Sequence, residues 1–235
     1  MAEEKFEEAI NSGRIEITGR LVDASNATLF GTIDFEDQRI QIVYKPVAGE
    51  RPLWDFDTGN LASREVAAYL LSQAGGFHLV PTTVLREGPF GLGAVQRWID
   101  VNPELDLITW AQSQDSRLRK MALFDAIINN TDRKFGHILL DDKGNLYGCD
   151  HGVTFHSEAK LRTVIWQFAD QELTSEEVDQ LDLLAKRLNT LELDLRDLLS
   201  EVELYALNGR ISDLRENRRF PLPNPEWPAV PWPPV

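Results

Sequence analysis

The chain has one cysteine, Cys149, so no internal disulfide can form, which fits a reducing compartment. It has no apolar run near the roughly 18–20 residues of a membrane span, so stable membrane insertion is not expected. The opening stretch, Met1 to Glu8, is acidic and carries no apolar signal core, so the expected location is cytoplasmic. Positive charge is scarce: 24 Lys and Arg stand against 38 Asp and Glu, for a net charge of −14. A chain this acidic is a poor partner for nucleic acid, whose phosphates need Lys and Arg, and for broad contact with anionic lipid. There is no Gly-x-x-x-x-Gly-Lys-Ser/Thr loop, which argues against a P-loop ATPase, and there is no internal repeat.

A hydrophobic content of 43% and a charged content of 26% fit an ordinary globular protein of one medium domain or two small lobes. Residues 14–45 alternate as a β-meander. Arg14 to Val22, Thr28 to Phe35 and Arg39 to Lys45 are its strands, and Pro46 ends the third. A helix is expected from Ala62 to Ala74, ended by Gly75-Gly76. Two more strands, Val80 to Arg86 and Gly93 to Ile99, complete a small lobe of five strands and one helix over 14–100. Residues 1–13 form a leading segment. The second lobe, 101–219, is mainly helical, with helices at Asp106 to Gln112 and Arg117 to Asn129. A capping-box pattern at Thr174 opens a further one. Leu181, Leu184, Leu188, Leu191, Leu195, Leu198 and Val202 then recur at steps of three and four. This stripe reads as two or three helices burying a face in their own domain, with a break at Asn189-Thr190; a coiled coil is the alternative. The tail, 220–235, is rich in Pro and carries Trp227 and Trp232, which suggests an extended segment that docks on its own domain or on a partner.

Two short stretches carry the chemistry. Asn129-Asn130-Thr131-Asp132-Arg133 follows an apolar helix, and Gly148-Cys149-Asp150-His151-Gly152 follows a short strand. The turn signal Asp141-Asp142-Lys143-Gly144-Asn145 lies between them, so a hairpin can return the two carboxylates to one place. In phosphoryl transfer one carboxylate takes a hydroxyl proton and the other holds the metal that neutralises phosphate charge. Asp132, with Arg133 beside it, is the catalytic candidate, and Asp150 the metal ligand. The competing readings are a helix-capping aspartate and a strand-end turn. His137, five residues after Asp132, is a second candidate ligand, which suits Mn²⁺ better than Mg²⁺; contact with phosphate or acceptor, or ordering of the loop, are its other roles. His137, His151 and His156 with Asp150 also allow a zinc site, and hence a metal-dependent hydrolase. Lys45 at a strand end and Glu65 early in the next helix can form an ion pair that aims an ammonium at phosphates. Ser25, in the turn between the first two strands, can cover phosphates.

In order, these motifs resemble the phosphatidylinositol 3- and 4-kinase superfamily, and most of all its small, mainly actinobacterial kinase-like members. The resemblance spans roughly residues 14–217. Val43-Tyr44-Lys45-Pro46 resembles the ATP-binding lysine strand and Ser63 to Leu70 the glutamate helix. Val80-Pro81-Thr82-Thr83 resembles the strand leading to the hinge. Gln96-Arg97-Trp98-Ile99 falls at the adenine-contacting hinge. Asn130 to Arg133 resembles the catalytic loop and Cys149 to Gly152 the metal motif. The resemblance implies a two-lobed, protein-kinase-like α+β fold with ATP and Mg²⁺ in the cleft. It implies Lys45 on the α/β-phosphates, Glu65 orienting it, Gln96 and Trp98 near the adenine, Asp132 as base and Asp150 on the metal. His137 in place of Asn, His151 inside Asp-x-Gly and the missing Gly-rich loop are departures from the family pattern. The acceptor stays open between a protein hydroxyl, a small molecule and an inositol lipid. A nucleotide-binding pseudokinase is the rival reading.

Overall fold

A computed structural model describes residues 3–21, 26–36, 38–51, 53, 60–190 and 192–235. Five antiparallel strands form one sheet in the order β1-β2-β3-β5-β4. They are β1 Arg14–Arg20, β2 Leu29–Phe35, β3 Gln38–Pro46, β4 Thr83–Gly88 and β5 Gly91–Arg97. The first three are the meander that alternation predicts, and β3 runs through Pro46, which faces Gly93 of β5. The second pair sits two to three residues off the expected positions. Val80 cannot join the ladder because its N–H, like that of Leu79, goes to the Ser72 hydroxyl. The hairpin turn is tight, with Gly91 at φ +90° directly paired to Gly88.

Residues 1–13, to which the sequence reading assigns no element, contain a helix, α1 Glu3–Ser12. Phe6, Ala9 and Ile10, spaced three and four apart, pack on the back of the sheet, and Ala9 and Ile10 are fully buried. Arg86 closes the helix end by donating to the Ile10 and Gly13 carbonyls at 2.6 and 3.0 Å.

Helix α2, Leu61–Ala74, starts at an Asn60 cap. It is buried nearly all round because both halves of the molecule press on it. Ala62 and Val66 meet Ala94 of the sheet, whereas Ala67, Ala68 and Leu71 join the large C-terminal core. Polar side chains on such a helix need partners, and Arg64 finds Glu203 of a C-terminal helix at 2.5 Å, with both nearly buried.

The C-terminal half holds α3 Leu107–Ala111, α4 Ser116–Ile128, α5 Ser175–Asn189 and α6 Glu201–Asn217, with the small hairpin β6 Ile138–Leu140 and β7 Leu146–Gly148. Asp141 makes the expected turn by accepting from the Lys143 and Asn145 N–H groups. The leucine stripe breaks at Thr190 into α5 and the approach to α6, and Leu181, Leu184 and Leu195 are buried in this core. Val202 is exposed, and Leu191 lies outside the described residues. Phe220 is buried, and the tail beyond it runs back over its own domain. The Thr163 N–H donates to the Ala229 carbonyl at 3.0 Å, and the Phe135 N–H to that of Pro234 at 2.9 Å. Among the described residues, no helix is long and apolar enough to cross a membrane.

The Arg64–Glu203 pair generates a stability prediction. Glu203→Ala takes the carboxylate from a buried guanidinium, leaving it the Asn60 carbonyl, and opens the Ser200 capping box; it should cost about 3 kcal/mol or more in urea unfolding at pH 7. Tyr205→Ala, two residues on and 83% exposed, should change stability by no more than about 0.5 kcal/mol. Equal effects would remove the pair as the tie between the halves.

Candidate active site

The cleft is positioned by a buried polar hub. Asp125 sits in the apolar run of α4, where a lone carboxylate is costly unless paired. Its partner is Arg133, whose side chain is fully buried and whose guanidinium grips both Asp125 oxygens, at 2.9 and 2.8 Å. The same guanidinium donates to the His137 and Cys149 carbonyls and to His151 Nε2 at 2.8 Å. Gly148 leaves room for it, since a Cβ there would lie 2.9 Å from Arg133 Nη2. Arg133 therefore ties α4, the loop bearing Asp132 and the strand end bearing Asp150 to one point. The expectation of a catalytic Arg133 gives way to a positioning role, because every terminal nitrogen is spent inside the protein.

Around this hub the loop is fully specified. Asn129 caps α4 in the left-handed region, at φ +51°. Asn130 holds Asp125 and accepts from the Asp132 N–H at 3.0 Å. The Thr131 N–H reaches the Val153 carbonyl, and Arg162 Nε donates to the Thr131 carbonyl at 2.6 Å.

Lys45, Glu65, Asp132, His137 and Asp150 converge. Lys45 Nζ contacts the Glu65 carboxylate and lies 2.7 Å from Asp150 Oδ1. Burial opposes the lysine's charge, but Asp150 and Glu65 outweigh it and raise the group overall. Lys45 likewise holds the Asp150 carboxyl well below the usual carboxylate range. Asp132 goes the other way: burial raises it and the Asp150 charge adds to this, against the pull of Lys134, 3.3 Å away, and of His137. His137 Nδ1 donates to the Asp132 carbonyl at 2.8 Å, so the neutral ring turns a bare Nε2 toward Asp150 Oδ2 at 3.4 Å. Burial pushes the His137 pKa down, favouring that neutral form.

A lone pair facing a carboxylate oxygen calls for a cation between them. Ligand atoms of Asp132, His137 and Asp150 all lie within 4.8 Å of one another. An imidazole whose other nitrogen is fixed by a backbone carbonyl is the usual form of a ligating histidine. The residues therefore fit a divalent metal, and the imidazole favours Mn²⁺ over Mg²⁺.

Other expected residues fall elsewhere. Ser25 lies outside the described residues. Gln96 is buried and donates to the Thr83 hydroxyl, and Trp98 packs edge-on against Phe30 with its N–H on Asp100. Neither is among the described residues that line the cleft around Lys45. His151 is buried on Arg133, and His156 Nε2 stands 3.1 Å from Lys160 Nζ, so neither joins His137 as a metal ligand. The cleft has a volume of about 370 Å³ and is also lined by Glu50, Arg51, Arg162 and Trp227, none of them expected from the sequence. Glu50 caps α2 by accepting from the Leu61 and Ala62 N–H groups. A charged residue inside an apolar helix signals Asp125, and a tryptophan in a proline-rich tail signals Trp227. For Glu50, Arg51 and Arg162 we find no sequence signal.

The fold these elements define is a two-lobed, kinase-like one. It is similar to the Helicobacter pylori proinflammatory kinase CtkA, with a TM-score of 0.52 over 90% of this chain and 94% of that one, at 12% identity. The sequence is 37% identical over 257 aligned residues to Protein Rv2133c of Mycobacterium tuberculosis (strain ATCC 25618 / H37Rv), covering 94% of this chain and 92% of that protein. The chain belongs to the family of that mycobacterial protein. No family model matches it.

Burial pushes the Cys149 thiol up to about 12. Iodoacetamide at pH 8 should therefore alkylate the native protein at least ~100-fold more slowly than the urea-unfolded chain, because the thiolate is the reactive form. Similar rates in mass-spectrometric labelling would show that the thiol is neither buried nor inert.

Proposed function

We propose that the protein is an ATP-dependent phosphotransferase, related in its site plan to the phosphatidylinositol 3- and 4-kinases, acting on a hydroxyl acceptor. The observation that carries this reading is the meeting of Lys45, Glu65, Asp132 and Asp150 in one cleft of a kinase-like fold, with His137 against the two aspartates. Glu65 holds the Lys45 ammonium in place, ready for the phosphates of the nucleotide. Asp132, raised by burial, takes the proton of the acceptor hydroxyl as its oxygen attacks the γ-phosphorus and ADP departs. Asp150 and His137 are the metal ligands. When bound, the divalent ion supplies neutralising charge at the phosphates. Lys134, 3.3 Å from Asp132 Oδ2, keeps that carboxylate oriented.

The test is calorimetric titration of ATP into metal-stripped protein with Mg²⁺ or Mn²⁺, beside an ATP-turnover assay. Metal-dependent binding should weaken at least ~10-fold in Asp150→Ala, following the loss expected for a metal-site residue. Asp132→Asn should bind ATP normally but lose at least ~100-fold in turnover. His137→Asn should shift the metal preference toward Mg²⁺. Absence of nucleotide binding with either metal would sink the reading. Full turnover in Asp132→Asn would deny Asp132 its role, and ATP binding without turnover in the wild type would make this a pseudokinase.

A further inference from the structure

The phosphotransfer reading leaves one wall of the cleft without a task. Arg162 and Trp227 line it together with Asp132. Arg162 is half-buried, and its Nε is committed to the Thr131 carbonyl, one residue before Asp132. Its guanidinium carbon stands 5.6 Å from the centre of the Trp227 ring. Such a stack fixes the plane of the fork while leaving its edge free. Lys160 Nζ lies 4.9 Å from the same ring, so two cations share one indole. The tail that carries Trp227 is fastened nearby, where Ala229 accepts from both the Thr163 N–H and the Trp166 indole N–H, the latter at 2.7 Å.

Arg162 also differs from Lys45, Lys134 and Arg133 in its partners. Lys45 and Lys134 each have a carboxylate within 3.3 Å, and Arg133 has Asp125. Arg162 has no carboxylate partner among the described residues. A half-buried guanidinium that lines a cleft without an acid partner keeps N–H groups that an anion from solution can reach. Its tie to the loop of Asp132 places it on the side of the acceptor rather than on that of Lys45.

We propose that Arg162, backed by Trp227 of the C-terminal tail, is the subsite for an anionic group on the acceptor, so that the acceptor is a hydroxyl compound bearing a phosphate or carboxylate. This rests on the phosphotransfer reading. A planar guanidinium with free N–H groups matches either anion in a two-pronged contact. Trp227 sets its orientation, and the tail is thereby part of the cleft and not an appendage.

The experiment uses the whole chain and inorganic phosphate as the probe. The protein is first saturated with Mn²⁺ and a non-hydrolysable ATP analogue, so that the γ-phosphate position is filled, and phosphate is then titrated by calorimetry. Wild type should bind it, Arg162→Gln and Trp227→Leu should each weaken it at least ~10-fold, and affinity for the analogue should stay within about twofold. Trp227→Leu leaves the Arg162–Thr131 hydrogen bond intact, and equal melting temperatures establish that it folds. Competition by glycerol phosphate, or by vesicles carrying a phosphoinositide, tells a soluble acceptor from a lipid headgroup. Failure of phosphate to bind the analogue-loaded wild type overturns the proposal. A loss of analogue affinity in Arg162→Gln with ADP affinity unchanged also overturns it, because Arg162 would then grip the γ-phosphate. If no nucleotide binds but phosphate still binds through Arg162, the anion subsite stands while the phosphotransfer reading and the acceptor assignment fall.

Discussion

The buried pair of Arg133 and Asp125 is the contact on which the rest of the site depends. Two charges taken out of water are tolerable only when geometry and added hydrogen bonds satisfy them, and here both carboxylate oxygens and the guanidinium nitrogens are occupied. The pair converts a helix, a loop and a strand end, distant in sequence, into one rigid body. Losing one member of such a pair costs roughly 3–5 kcal/mol, a large part of an ordinary domain's stability. The proposed chemistry at Asp132 and Asp150 is thus carried by two residues that never face the cleft.

Glu65 is held by a different device. In a kinase-like fold the helix bearing this glutamate lies between the halves, and its position decides whether the lysine is aimed. Here α2 is gripped on both sides: Ala94 meets one face, and the C-terminal core and Glu203 meet the other. Arg187 adds a bond to the Ala74 carbonyl at the helix end. A helix gripped in this way holds Glu65 against Lys45.

Much of the fold was legible because its cues are local. Alternation gives the meander, the Asp141 turn gives the site hairpin, and Thr174 gives the start of α5. The order of Lys45, Glu65, Asp132 and Asp150 along the chain foretold which residues would meet. What stayed hidden depends on contacts across long stretches of sequence. Arg133 reads as a loop cation until Asp125 is seen beneath it. Gln96 turns inward to Thr83 because its strand position faces the core. Arg162 has no signature at all, since its importance lies in a carbonyl thirty-one residues away and an indole in the tail. Helix α1 went unread because three apolar side chains in an acidic stretch make a weak pattern until a sheet is there to receive them.

The route of the tail also orders events during synthesis. Lys45, Asp132 and Asp150 leave the ribosome well before Trp227 and Ala229, and domains begin to fold as they emerge. The charged cluster and the wall that Trp227 supplies thus come from parts of the chain made at different times. The tail seats against Thr163 and Phe135, and Trp227 supplies a wall of the cleft. A chain cut before Trp227 would lose one wall of the cleft while keeping Lys45, Asp132 and Asp150, so the tail shapes the site without contributing to its charged cluster.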